Sequence, residues 1–197
     1  MQRSGSGPEP YLDSLSPDIN PWTRACLQAS IGEAGGVALL IRMATQFPQS
    51  ASVQADVSGA IAVLAVDDAL EAAIAQGGGI EVLLGALQRH RATASVAAHA
   101  WHALTNLSVS VDNKSRMASG TDIKGLVAAT LETHAGAPRV IEGVATTLRN
   151  LCLGTGAAPF VDGKTLGLLV HELQVHAQQP SLTAGPIAQP NRLLVRS

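Results

Sequence analysis

Aromatic and charged side chains are both scarce in this chain of 197 residues. Aromatic residues make up 3% and charged residues 14%, about half of the usual charged share. Hydrophobic residues make up 46%, so a core must be built from Ala, Leu, Val and Ile, which suits closely packed helices. The formal net charge is −2 and there is no run of basic residues, which argues against a protein that binds nucleic acid.

Cysteine is also rare, and no targeting or membrane segment stands out. Cys26 and Cys152 are far apart, which excludes a disulfide framework and a zinc motif and predicts two buried, reduced thiols. The first 20 residues have one Arg and three acidic residues but no apolar segment, unlike a signal or transit peptide. No run of 18 apolar residues is free of charge, so no membrane span is expected. We expect a cytoplasmic protein that is not secreted, with the nucleus and the cilium left open.

A short apolar pattern recurs at a fixed interval of 43 residues. Each copy has large apolar residues at i, i+3 and i+4, and turn-like residues, often glycine, precede it. The copies begin at Val37, Ile80, Ile123 and Leu166. This spacing predicts one helix per copy, with its apolar stripe on one face.

Two more helices complete each unit. A longer helix with apolar residues at i, i+4, i+8 and i+11 follows in the first three copies. Its stripes are Val53, Val57, Ile61 and Leu64; Val96, Ala100, Leu104 and Leu107; and Val140, Val144, Leu148 and Leu151. The third stripe starts 44 residues after the second, and we expect a loop before the long helix to absorb the extra residue. A short helix ends before Gly77 and another before Gly120, so units of three helices would stack around a continuous core.

The segments Gly79–Leu84, Ala103–Ser108, Asp112–Lys114 and Thr147–Cys152 resemble the armadillo repeat. The similarity covers roughly residues 24–176 and is nearest to vacuolar-protein-8-like and other armadillo repeat-containing proteins. HEAT repeats are the main rival, but the glycine turn and the Leu-x-Asn-Leu segment favour armadillo. The resemblance implies an all-α fold, a right-handed α-solenoid of about three and a half repeats with three helices per 43-residue unit.

The repeat pattern predicts a domain at residues 22–176 between two irregular ends. Residues 1–21 are rich in Gly, Pro and Ser and predict a flexible arm, and residues 177–197 predict a proline-containing tail. The fourth copy has its first stripe (Leu166, Leu169, Val170 and Leu173) but no long helix after it. Either the tail folds back over this stripe, or another protein covers it, or the chain is a truncated isoform.

The resemblance implies that the long helices line a concave groove in which asparagines grip the backbone of an extended peptide. Asn106 and Asn150 match that family position, whereas Val63 departs from it. An amide side chain can satisfy both the N–H and the C=O of a peptide unit. The alternative is that both amides bond to neighbouring helices and have a purely structural role.

Other side chains near this groove have two interpretations each. Where the family often has tryptophan, this chain has Gly59, His102 and Thr146, and Trp101 is one residue away. Trp101 is either a packing residue between long helices or an interface anchor. His99 and His102 could ligate a metal or respond to pH, but no third ligand is near them in sequence, so a solvated or hydrogen-bonded pair is expected.

These observations lead to a non-catalytic protein–protein interaction scaffold without cofactor or metal. We expect it to bind protein partners, including extended peptide segments, through the concave long-helix face and the uncapped C-terminal end. The predicted partner-binding residues are Trp101, His102, Asn106, Thr146, Arg149 and Asn150. The alternative is a fixed structural subunit of a large assembly, for example a ciliary or cytoskeletal complex. An enzyme is not expected, because no nucleophile, base and orienting group occur in a known arrangement.

Overall fold

The computed structural model describes residues 21–120, 122–155 and 163–177, which form ten α-helices and no strand. The expected all-α fold is therefore confirmed. In chain order the helices are α1 (Pro21–Glu33), α2 (Gly36–Gln46), α3 (Ala51–Leu64), α4 (Asp68–Gln76), α5 (Gly79–Arg89), α6 (Ala94–Leu107), α7 (Val111–Gly120), α8 (Ile123–Thr133), α9 (Pro138–Thr155) and α10 (Gly163–Ala177). The predicted arm and tail lie outside the described residues, apart from Pro21 and Ala177.

Side-chain caps determine where several helices begin. The hydroxyl of Ser50 accepts a hydrogen bond from a backbone N–H in the first turn of α3. The carboxylates of Asp67 and Asp122 do the same for α4 and α8, at 3.0 Å in both cases. Each cap satisfies an N–H group that the helix itself cannot pair.

Two glycines make the sharp turns between short and following helices. Gly35 has a φ of 76° and Gly78 a φ of 91°. Residues with a side chain rarely adopt this left-handed conformation, so glycine is required there. The glycine turns predicted before the first two repeats of the pattern are thus confirmed, and in the third copy Asp122 stands at the start of the helix instead.

The three long helices are neighbours in chain order, with α3 packed along α6 and α6 along α9. Their predicted stripes face inward, and in α6 all four stripe residues are fully buried. Those residues are Val96, Ala100, Leu104 and Leu107. One hydrophobic cluster runs from Val37 in α2 to Leu169 in α10, so burial of apolar surface holds successive helices together.

The extra residue of the third copy does not lie in the loop where it was expected. The loops before α3, α6 and α9 each contain four residues (47–50, 90–93 and 134–137). His90 caps α5 ten residues after Ile80, whereas His134 caps α8 eleven residues after Ile123. The insertion therefore lies between Ile123 and His134, within α8. Helix α8 still has eleven residues, as α5 has, because it begins at Ile123 whereas α5 begins one residue before Ile80.

In the last helix, α10, only part of the predicted apolar stripe is buried. Leu169 and Glu172 are buried, but Leu166 is 53% exposed and Val170 is 44% exposed. The side chain of Leu173, the fourth member of that stripe, lies outside the described residues. Helix α10 packs mainly on α8 and α9, so among the described helices only one flank of its apolar face has a neighbour.

The prediction of buried thiols is wrong, since Cys26 and Cys152 are both exposed. Leu148 and Leu151 occupy the inward positions of α9, and the next residue therefore points outward. Helical spacing, rather than the apolar character of the thiol, decides the environment of Cys152.

Within the described ranges, no single helix is long and apolar enough to cross a membrane. The bent pair α4 and α5 passes the same test of length and composition when both are taken together. Much of the apolar surface of this pair lies in the core, through Leu70, Ile74, Ile80, Leu83, Leu84 and Leu87.

Candidate interaction surface

The six residues predicted to contact a partner lie on the long helices α6 and α9 but differ in accessibility. His102 and Arg149 are exposed, and Asn106 and Thr146 are half-buried. Trp101 is fully buried and Asn150 is 5% exposed. The first four therefore present atoms to solvent, whereas Trp101 and Asn150, which were predicted to contact a partner, are buried in this structure.

Trp101 is a packing residue of the helix layer. Its indole N–H donates to the hydroxyl of Thr130 in α8 at 3.2 Å. Its Cβ lies so close to α9 that a methyl group added at Gly143 would be 2.9 Å away. A large side chain is accommodated here because the facing residue has none.

Asn106 joins the first two long helices. Its amide Nδ2 donates to the backbone carbonyl of Ala62 in α3 at 2.8 Å. This geometry agrees with the structural alternative for the asparagine, because the donor that would clamp a peptide already has a partner. The side chain keeps partial access to solvent.

Asn150 makes the equivalent link one unit later. Its Nδ2 donates to the carbonyl of Thr105 in α6 at 3.3 Å and to the hydroxyl of Ser108 at 3.0 Å. Its Oδ1 is buried and has no hydrogen-bond partner among the residues that the structure describes. A bound peptide could reach this oxygen only if the helices moved, so Asn150 serves the contact between α6 and α9.

Val63, at the same position of α3, is 52% exposed. Its backbone carbonyl still accepts a hydrogen bond, from Nε2 of Gln28 in α1 at 2.8 Å. The first unit therefore presents an apolar side chain to solvent where the next two have amides.

The two neighbouring histidines of α6 have different surroundings. Nδ1 of His99 lies 3.0 Å from the carbonyl of Ala55 and must donate, because a carbonyl only accepts. Partial burial lowers the pKa of His102, and the nearby His99 and Arg139 lower it further. In the part of the chain that the structure describes, no group of three or more His, Cys, Asp or Glu side chains could hold a metal ion.

A second pair of histidines, His90 and His134, is not among the predicted site residues. Nε2 of His90 donates to the carbonyl of Pro48, and Nε2 of His134 donates to the carbonyl of Arg91, both at 2.8 Å. His90 and His134 are the C-cap residues of α5 and α8, the helices that precede the long helices α6 and α9. Each histidine thereby holds the loop that lies at the same place in the preceding unit. The two histidines are 44 residues apart and occupy the same place in successive units, and this recurrence is visible in the sequence.

Comparison with protein-family models, with curated proteins and with solved structures finds no match to this chain. Its own geometry is therefore the basis for inferring a function.

Arg149 is exposed, and among the described helices no fourth long helix packs along α9 as α9 packs along α6. Ala62 in α3 and Thr105 in α6 occupy the position equivalent to Arg149. The carbonyl of Ala62 accepts a hydrogen bond from α6, and the hydroxyl of Thr105 donates to the carbonyl of Gly143 in α9 at 3.2 Å. Arg149 and the exposed Glu142, two turns earlier, therefore mark the flank on which another long helix would pack. Helix α9 is also in contact with α10.

Proposed function

We propose that this chain is a non-catalytic scaffold for protein–protein interactions, built as a right-handed α-solenoid of about three and a half armadillo-type repeats. Partners bind the solvent-facing side of the long helices, which is concave in such a solenoid, and the C-terminal end. The protein acts in the cytoplasm, with the nucleus and the cilium as further compartments. It needs no cofactor, because complementary shape and charge on a stiff support are sufficient for binding.

One observation carries this proposal: equivalent residues link successive long helices in the same way. Asn106 bonds to α3 and Asn150 bonds to α6, each across an interval of 44 or 45 residues. His90 and His134 repeat the arrangement at the opposite ends of the units. Recurrent links of this kind support a regular stack of units with a continuous outer surface.

The accessible residues of that surface are mixed in charge. Asp56 and Glu142 are acidic, Arg149 is basic, and His102 lies between them on α6. A mixed surface suits a protein partner with polar contacts of both signs. It is unlike the strongly acidic groove of nuclear-import receptors, so basic import signals are not the proposed ligands.

A fixed structural subunit of a larger assembly is the second candidate. Apolar side chains are exposed at both ends of the described helices: Leu27 by 51% and Ile31 by 43% in α1, and Leu166 by 53% in α10. Exposed apolar surface at the two ends favours permanent neighbours there.

The proposal is tested by capturing partners from cells that express the full chain with a small tag. His102→Glu adds an acid on the long-helix surface, and Gln88→Glu adds one at an exposed site of α5 as a matched control. We expect quantitative mass spectrometry to show proteins that His102→Glu loses and Gln88→Glu retains. If neither His102→Glu nor a Leu166→Asp variant loses any specific protein, the scaffold proposal is wrong.

A further inference from the structure

A cleft of about 520 Å³, here called the first-unit cleft, lies between α1, α2 and α4. Most of its surface comes from small or apolar side chains and from glycine backbone. Its apolar wall consists of Val37, Ala38, Ile41 and Ala73. The polar side chains of Arg42, Thr45 and Gln46 line one end of the cleft. A cleft of this size, largely apolar and with a few polar groups, has the usual form of a site for a small molecule.

The same place in the second unit is filled by an ion pair. Arg116 in α7 donates from Nη1 to the carbonyl of Ala75, and its Nη2 lies 3.5 Å from Oε1 of Glu81 in α5. The residues 43 positions earlier are Ala73 and Ala38, and both of them line the cleft. The first-unit cleft is therefore open because two small side chains stand where the next unit has two long ones.

Arg42 makes one end of the cleft positive. Its side chain is exposed, and in the described ranges no residue pairs with its guanidinium. Glu33, at the end of α1, is exposed but does not line the cleft. The hydroxyl of Thr45 donates to the carbonyl of Ile41 at 2.8 Å, whereas Arg42 and the amide of Gln46 offer N–H groups to a ligand. Such a set of donors suits a carboxylate, which accepts charge-assisted hydrogen bonds.

We propose that the first-unit cleft binds an aliphatic carboxylate, a small molecule with an apolar chain and one anionic head group. The alkyl chain lies on the apolar wall, in the space that an ion pair fills in the second unit. The carboxylate accepts hydrogen bonds from Arg42 and Gln46. Burial of the chain supplies affinity, and the charge of Arg42 selects the sign of the head group. The described lining residues belong to α1, α2, α4 and their turns and not to a long helix, so the inference does not depend on the scaffold function.

Three eight-carbon probes that differ only in the head group test the inference on the full chain at neutral pH. They are octanoate, which is anionic, 1-octanol, which is neutral, and octylammonium, which is cationic. Each is titrated into nitrogen-15-labelled protein, and the backbone NMR signals are followed. Octanoate should bind with a Kd on the order of 1 mM, as is typical of so small a ligand, and shift signals of α2 and α4. It should bind about twofold to fivefold more tightly than 1-octanol, the range for one exposed ion pair, and octylammonium should bind most weakly.

Two sets of variants separate the apolar wall from the charged end. Ala38→Glu combined with Ala73→Arg places the ion pair of the second unit in the cleft and should remove detectable octanoate binding. Ala72→Arg, at the exposed neighbouring position of α4, should leave the binding unchanged. Arg42→Gln should weaken octanoate about twofold to fivefold but not 1-octanol, whose retained binding shows that the cleft is intact. Arg42→Glu should make octylammonium bind more tightly than octanoate.

Each of the following outcomes would overturn the inference. Octanoate leaves the signals of α2 and α4 unshifted, as it would if residues 1–20 of the same chain covered the cleft. Octanoate binds no more tightly than 1-octanol, or equally well to Arg42→Gln or to the Ala38→Glu, Ala73→Arg variant. Analytical ultracentrifugation shows a dimer that this double variant converts to a monomer, since the occupant would then be a second copy. None of these results alters the cellular proteins lost on His102→Glu, so the two proposals fail separately.

Discussion

Two glycines that face α6 from opposite sides should respond differently to the same substitution. Gly59 lies in α3 against the ring of His99, and Gly143 lies in α9 against Trp101. Alanine at Gly59 would place its Cβ 3.5 Å from the nearest ring atom, an ordinary contact. Alanine at Gly143 would place it 2.9 Å from the Cβ of Trp101 and 3.4 Å from the backbone of the same residue.

The balance of two effects gives the expected signs. Alanine is favoured over glycine inside a helix by about 0.8–1 kcal/mol at both positions. Gly59→Ala should therefore raise the free energy of unfolding by up to about 1 kcal/mol, or Tm by roughly 2–4 °C. At Gly143 the backbones of α6 and α9 must separate, and overpacking of this kind costs about 1–3 kcal/mol. Gly143→Ala should therefore be neutral or destabilising, by up to about 2 kcal/mol.

Urea denaturation followed by circular dichroism, together with thermal melting, measures both changes in the full chain. Binding assays are unnecessary, because both glycines lie within helices that carry the core. If Gly143→Ala stabilises the protein as much as Gly59→Ala does, α6 and α9 do not approach each other as closely as the structure shows, and the explanation for the glycine is wrong.

Three further results are expected. Trp101→Ala should lower the free energy of unfolding by about 3–5 kcal/mol, measured by urea denaturation, since the side chain is fully buried; a loss below about 1 kcal/mol would contradict its packing role. Because the pKa of His102 is lowered in the folded chain, the unfolded chain binds more protons than the folded chain just below pH 6.5. The free energy of unfolding should therefore fall as the pH drops from about 7 towards the lowered pKa, and it should fall less in His102→Gln. Equal slopes of this free energy against pH in the two proteins would refute the explanation. Ellman's reagent should modify both Cys26 and Cys152 in the native protein at similar rates, and protection of either thiol until denaturant is added would contradict its exposure.

Local features of the fold were predictable because they depend on spacing along one helix. The i, i+4, i+8 and i+11 stripe of the long helices predicts an inward face, and in α6 all four of its residues are buried. Glycine before Val37 and Ile80 predicts a left-handed turn, and Gly35 and Gly78 have positive φ. Both patterns act over a few residues and need no knowledge of neighbours.

The candidate site was only partly predictable, because the role of a side chain depends on what lies opposite. The sequence is compatible with Trp101 as a packing residue or as an interface anchor, but Gly143 leaves room for it in the core. Asn150 matched a family position for peptide binding, but its amide bonds to Thr105 and Ser108. Arg149 is accessible in the part of the chain that the structure describes, where no further long helix lies beside α9.

The sequence by itself determined that the chain is helical, where its units repeat and which face of each complete unit is apolar, since the residue spacing of a helix is set by its own geometry. Only the tertiary structure decided which apolar and polar positions have neighbours. Equivalent residues such as Ile123 and Leu166 share a place in the pattern but differ from 3% to 53% in exposure. Burial requires a second surface, and the C-terminal end has none among the described helices.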